Sequence, residues 1–350
     1  MSSLATVPLV LVFVAAAVAT WVAGTSLSRT TDVLDRRFGL GEAIGGMVLL
    51  AVAGSLPELA ITVSAAAKGN LGLAAGNLIG GIAIQTMVLV LCDAVVRGER
   101  PLSFLVGSLI PVLEGALVVL VTAGVLMGAL LPPSTSLGPV SPASIVIVLV
   151  WLGGVLVLNR VRQGPQWAVS MPGSSPGRPH HRVEPQHPQA PRPMSARRAI
   201  GVFAGASVVT LGCGVLLELA GNTLADRAGV NGVIFGATIL AAASALPEIS
   251  SGIAAVRIGD HQLAIGDIFG GNAFQVCLFL LADLVAGKAV LPAAGRLNSW
   301  LAALGVALTV VFCAGVISRP GRRMLRLGAD SWLALVIFAL GLAGLFAIPH

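Results

Sequence analysis

The stretch Ala53-Gly54-Ser55-Leu56-Pro57-Glu58 puts a proline and a carboxylate inside a long apolar run. Ala243-Ser244-Ala245-Leu246-Pro247-Glu248 does the same 190 residues later. The register then holds for about forty residues: Gly69 matches Gly259, Leu73-Ala74 matches Leu263-Ala264, Gly76 matches Gly266, Gly80-Gly81 matches Gly270-Gly271, Gln85 matches Gln275 and Asp93 matches Asp283. A repeat of this size decides the fold class before any single residue does. A proline and an acid in mid-span, placed twice at equivalent points, indicate a transport site at a repeat interface.

The runs around the two motifs are long enough to cross a bilayer. Apolar residues make up 56% of the chain and charged residues 10%, against roughly 25% charged in soluble proteins. Ten runs approach the ~20 residues a span needs. They lie at 6–27, 42–67, 71–95, 102–127 and 143–160, then at 198–220, 230–256, 262–286, 297–317 and 331–348. The run from Pro8 to Gly24 has no basic residue before it, so it reads as a retained helix and not a signal peptide. Between the two sets, 161–197 is rich in Pro, Arg, His and Gln and reads as a disordered linker. Its His180, His181 and His187 read as part of a basic membrane-surface segment. Cys92, Cys213, Cys277 and Cys313 all fall in apolar segments without metal-ligand spacing and read as small buried hydrophobes.

One set of alternate loops carries 17 Lys and Arg and the other carries 4. The positive-inside rule then makes the 161–197 linker cytoplasmic and both termini external. The net charge of +6 is a topology signal, not a nucleic-acid signature. Five spans per half is odd, so the halves enter the membrane from opposite sides. The expected fold is all-α: ten transmembrane helices as two inverted five-helix repeats, 1–160 and 198–350, joined by the linker.

Glu58 and Glu248 carry the chemistry. A carboxylate deep in hydrocarbon is costly and functional by default, and no basic residue stands in mid-span to pair with either. Pro57 and Pro247 each remove a helical hydrogen bond and free carbonyls near 53–54 and 243–244. Oxygen-rich, acidic and partly unwound describes a hard-cation site of the kind Ca²⁺ occupies. The next spans add Asn77, Gly81 and Gln85, and Asp267, Gly271 and Gln275, each set at a spacing of four along one helix face. The amides and Asp267 are expected to form one polar stripe, with the glycines permitting close helix approach. Asp93 and Asp283 fall near span ends, within reach of water or interface. Glu114 has no acidic counterpart, since Leu304 stands there, and its role stays open, a proton-sensitive group being the less favoured reading; Glu218 reads as interfacial.

These two segments resemble the α-repeats of the Ca²⁺/cation antiporter superfamily, which includes sodium/calcium and proton/calcium exchangers. The family pattern is Gly-Thr/Ser-Ser-Leu-Pro-Glu on one helix and Gly-Asn-x-x-Gly-Ser-x-x-x-Asn/Asp on the next. The resemblance covers both repeats, the ten-span layout and the central loop. It implies that Glu58 and Glu248 are the ion-binding glutamates and Ser55 a ligand-bearing serine, with Ser244 on the hydroxyl position just before its counterpart. It also implies that spans 1 and 6 move. The chain departs from the pattern at Gly54, Ala245, Gly81 and Gly271, which lack hydroxyls, and at Gln85 and Gln275, which replace Asn or Asp. These losses bear on the flanking sodium sites more than on the central divalent site, and Asp267 adds an acid.

The expected function is a plasma-membrane antiporter, not an enzyme, needing no cofactor, whose partners are inorganic cations and the lipid bilayer. It exports Ca²⁺ in exchange for H⁺ or Na⁺. H⁺ is favoured because Na⁺ needs a compact oxygen cage and two close carboxylates repel unless a cation or proton joins them. The Ser-Leu-Pro-Glu form of the first repeat points the other way, to the sodium-coupled branch. Rival readings are an antiporter fold with altered selectivity or lost transport, and a passive channel. The channel would need a continuous polar pore, whereas the polar residues cluster at mid-membrane.

Overall fold

The computed structural model describes residues 4–38, 51–163, 194–293 and 295–348. The fold is all-helical; among the described residues the only β-type pairing is two isolated bridges, Leu137 with Val140 and Met324 with Leu327. The first repeat runs α1 (Thr6–Phe38), α2 (Leu56–Ala67), α3 (Leu71–Val95), α4 (Ile110–Ala129) and α5 (Pro142–Gln163). The second runs α6 (Ala196–Ala228), α7 (Gly232–Ser244), α8 (Leu246–Arg257), α9 (His261–Gln275), α10 (Leu278–Ala286), α11 (Gly295–Ser318) and α12 (Ala329–Ala347).

Among the described residues, seven helices are long and apolar enough to cross a membrane, with α9 and α10 forming one span. The pair α7 and α8, bent by 47°, makes an eighth, and α2 and α12 are shorter apolar helices. These sit where the ten apolar runs were expected. Residues 42–50 of the second expected run, most of the linker, and His180, His181 and His187 lie outside the described residues.

Two boundaries differ from expectation. α1 and α6 each continue to 33 residues, about 50 Å of helix, well beyond the ~30 Å hydrocarbon core. A helix longer than the core has to tilt or extend past the bilayer. The two pack along each other on one flank of the molecule. On α1, Val7, Leu11, Val14, Val18 and Val22 form an exposed apolar stripe at helical spacing, the inverse of a water-facing helix and suited to lipid.

The repeats match in their turns as well as their helices. Gly69 and Gly259 take positive φ, +77° and +84°, at the α2–α3 and α8–α9 corners. Behind each, a six-residue backbone bond closes the helix end, Asn70 N to Ala65 O at 2.8 Å and Asp260 N to Ala255 O at 3.0 Å. That closure needs a left-handed residue, which glycine supplies without strain.

Asp93 and Asp283 are fully buried rather than at a wet span end. Asp93 accepts from Leu102 N, Gly328 N and Ser331 Oγ, each at 2.7 Å. Asp283 accepts from Val290 N at 2.6 Å, Ser141 N at 2.9 Å and Ser144 Oγ at 2.7 Å. Each carboxylate thus caps the last helix of the other repeat, α12 or α5, and satisfies N–H groups that helix starts leave open.

α3 runs through the centre of the bundle. Its glycines allow it: a methyl group at Gly76 would meet Val233 O at 2.5 Å, and one at Gly80 would overlap Ala237. The α7 backbone therefore lies directly on α3, the close approach that small residues permit in membranes.

Candidate functional site

Both glutamates stand in the first turn of a half-helix that begins at a break. The chain turns at Ser55 (φ −93°, ψ 16°) ahead of α2 and at Ala245 (φ −80°, ψ 3°) ahead of α8, with Pro57 and Pro247 at the starts. Proline cannot donate, so the fourth carbonyl before each, at Ala53 and Ala243, loses its helical partner. The expected kink is present in the second repeat as the 47° bend. A helix N-terminus also favours negative charge, which offsets part of the cost of burying each acid.

The breaks bring the two glutamates together from opposite repeats. Glu58 is buried, accepts from Gln85 Nε2 at 3.3 Å, and faces Ser244 of the other repeat. Glu248 interacts electrostatically with Glu58 and Asp267. Among the described residues, Glu58 Oε2 and Glu248 Oε2 are buried without a hydrogen-bond partner. Among the same residues neither glutamate is paired with a basic side chain.

α3 and α9 cross at their glycines. Gln275 reaches over Gly81 and donates to the carbonyls of Asn77 (3.3 Å) and Leu78 (2.8 Å). Asn272 donates to Ile82 O at 3.4 Å and Thr86 Oγ1 at 3.2 Å. The single polar stripe that we expected is therefore divided. Gln85 serves Glu58, whereas Gln275 is committed to the backbone of α3. Asn77 is fully buried, and among the described residues neither its Oδ1 nor its Nδ2 has a hydrogen-bond partner. Asp267 accepts from Ser251 Oγ at 2.7 Å. Ser244 Oγ donates to Ala241 O at 3.2 Å.

A cavity of about 1060 Å³ adjoins this crossing. Ser55, Glu248, Ser251, Asp267 and Glu114 line it, and it extends to Asn159, Arg162 and Asp260, at helix ends on the side where the linker begins. Gly266 and Gly270 border it, while their repeat counterparts Gly76 and Gly80 are pressed against α7. The segment of the first repeat equivalent to α7, 42–54, lies mostly outside the described residues. Among the described residues no three His, Cys, Asp or Glu side chains converge as a ready metal cage. A cation bound at the glutamates would draw on carbonyls, hydroxyls, amides and water as well, as Ca²⁺ does.

Three features escaped sequence reasoning. Ser251 stands one turn after Glu248, a spacing visible in the sequence. Glu218 is not interfacial but fully buried, held by Lys68 at 2.5 Å, Ser64 at 2.8 Å and Asn70 at 3.1 Å. Glu114 accepts from Arg162 at 2.5 Å. Both bases sit at helix ends and reach inward along their stems, so counting mid-span bases could not find them.

An all-helical inverted repeat with two acids facing each other at its breaks defines a class: a membrane ion exchanger, not an enzyme. The chain belongs to the sodium/calcium exchanger protein family, which matches residues 8–161 and 198–348. It is 25% identical over 261 residues to CaxA of Alkalimonas amylolytica, an antiporter by its name, covering 75% of each chain. It is 24% identical over 312 residues to the inner membrane protein YrbG of Escherichia coli K12, covering 87% of this chain and 89% of YrbG. The fold resembles the crystal structure of the H⁺/Ca²⁺ exchanger CAX, with a TM-score of 0.67 at 14% identity over 98% of this chain and 82% of that one.

Proposed function

We propose that this protein exports Ca²⁺ across the plasma membrane in exchange for H⁺, with Glu58 and Glu248 as the paired acidic ligands. The observation that carries this is the meeting of two glutamates from opposite repeats, Glu58 buried and Glu248 half-buried, each with a buried oxygen that has no hydrogen-bond partner among the described residues. Ser55, Ser244, Asn77, Asp267 and Gln85 surround them as further oxygen donors, and Gln275 acts through the Asn77 and Leu78 carbonyls that it holds. When Ca²⁺ leaves, the two negative charges must be balanced by other cations in a dry site, and one shared site then enforces exchange.

H⁺ over Na⁺ rests on the donor set. Positions 54, 81, 245 and 271 carry no hydroxyl. Fewer hydroxyl oxygens remain for separate Na⁺ cages. The repeats 1–160 and 198–350 form the two halves of the transporter, with the linker side cytoplasmic.

The test is radioactive Ca²⁺ uptake into proteoliposomes under two conditions. One imposes an outward H⁺ gradient without Na⁺; the other imposes an outward Na⁺ gradient at equal, strongly buffered pH. Uptake in the first and not the second is expected. Uptake only in the second makes Na⁺ the counter-ion, and uptake in neither removes the exchange reading.

A further inference from the structure

The two-glutamate site leaves Glu114 unused. It stands on α4, only 4% exposed, with no acid at the equivalent position of the other repeat. Asp93 and Asp283, the buried carboxylates that cap helices, each accept three hydrogen bonds. Glu114 differs. Its Oε1 accepts from Arg162, while Oε2 is buried without a hydrogen-bond partner among the described residues. Oε2 lies against Gly266, where a methyl group would meet it at 2.9 Å. Glycine at 266 thus lets this carboxylate settle on α9 beside Asp267. Arg162 lies in the last turn of α5, with its side chain 40% exposed, just before the linker. Both residues line the cavity that also holds Glu248, Ser251 and Asp267.

We propose that Arg162 is a tethered cation that guards the linker-side approach to the site, with Glu114 as its acidic seat. An arriving divalent cation displaces the guanidinium from Glu114 and passes on to Asp267 and Glu248. When the cation has moved on, Arg162 returns. Glu114 tolerates burial because a positive charge is always at hand. Arg162 tolerates release because it is partly exposed and stands at a helix C-terminus, where a cation is favoured. Arg162 and Glu114 are positioning residues that set affinity on one face of the membrane and not the transport chemistry itself. This inference rests on the proposed Ca²⁺ exchange.

The experiment compares Ca²⁺ transport from each face, using the full chain in vesicles of defined orientation. Wild type, Arg162→Gln, Arg162→Lys and Glu114→Gln are measured for apparent KM and maximal rate. Arg162→Gln is expected to lower the KM for Ca²⁺ at the linker face by about fivefold, the scale of losing one partly exposed ion-pair competitor, and to leave the opposite face unchanged. Arg162→Lys keeps a mobile charge and should stay close to wild type. Glu114→Gln should raise the linker-face KM. An unchanged linker-face KM in Arg162→Gln, or an equal change on both faces, overturns the guard while leaving the exchange reading intact. Wild type that transports no Ca²⁺ overturns both. Should Arg162→Gln misfold, Arg162→Lys and Glu114→Gln decide: the guard stands if the first matches wild type and the second shifts the linker face alone, and it falls on any other result.

Discussion

Asp93 and Asp283 perform the same task crosswise. Asp93 of the first repeat holds the start of α12, and Asp283 of the second holds the start of α5. Even the atoms correspond: in each case Oδ2 takes a backbone N–H and a serine hydroxyl three residues further on, and Oδ1 takes an N–H from its own repeat. The two isolated bridges, Leu137 with Val140 and Met324 with Leu327, shape the turns that deliver those N–H groups. Each repeat is thus tied to the last helix of the other.

Asp93→Asn and Asp283→Asn should therefore destabilise the protein to a similar extent. Each exchange turns an acceptor-only carboxylate into a group with two N–H donors facing other donors. The cost is about 2–4 kcal/mol for charge-assisted bonds lost in a buried setting. Thermal unfolding of the detergent-purified protein measures it. A large drop for one and none for the other would break the proposed equivalence.

The α3–α7 contact is open to a direct test. Gly80→Val forces side-chain atoms into the Ala237 backbone and should cost about 1–3 kcal/mol from overpacking. Thermal unfolding of the purified protein measures it, and an unchanged melting temperature would show that α7 does not lie on α3 at this point.

Lys68 and Glu218 tie the α2–α3 corner to α6, the long helix that pairs with α1. Lys68→Met leaves Glu218 buried with only Ser64 and Asn70 as partners among the described residues. A coupling of roughly 1 kcal/mol or more is expected between Lys68→Met and Glu218→Gln in a double-mutant cycle of unfolding. Additive effects would show that the pair holds nothing together.

Glu58→Gln and Glu248→Gln should each reduce Ca²⁺ exchange by about a hundredfold or more, because removing one of two charges that face a buried divalent ion leaves it uncompensated. Membrane insertion and melting should survive, since neither oxygen left unpartnered holds the fold. Near-normal flux in either variant would remove that glutamate from the site.

The linker should lie in the cytoplasm and both termini outside, following the 17-to-4 bias of basic residues between alternate loops. A cysteine introduced as His187→Cys and probed with a membrane-impermeant thiol reagent reports the side of the linker. Intact cells should label no more than those carrying the parent protein, and opened cells should label strongly. Labelling of intact cells at that position would invert the orientation.

The repeat, its inversion and the two glutamates were legible in the sequence. Leu-Pro-Glu within apolar runs at a 190-residue register is a one-dimensional pattern, and hydrophobic length and basic-loop parity set the span order. The fold positions Glu58 and Glu248 where that pattern predicts, at the breaks made by Pro57 and Pro247.

Which polar residue faces which is beyond the reach of such a pattern. Gln85 and Gln275 are identical in repeat position, yet one serves Glu58 and the other holds the α3 carbonyls. Glu114 and Glu218 looked alone because their partners, Arg162 and Lys68, are distant in sequence and sit at helix ends. Spacing along a helix determines a face, but the partner of that face is chosen by helix crossing. Here the crossing is set by glycines at 76, 80 and 81, whose missing side chains let backbones meet. Hydrophobic length and repetition thus specify the topology and the acids, because both are properties of the chain read in order. The inequality of Gln85 and Gln275 comes from packing in three dimensions: the α3–α9 crossing leaves one beside Glu58 and lays the other on the α3 backbone.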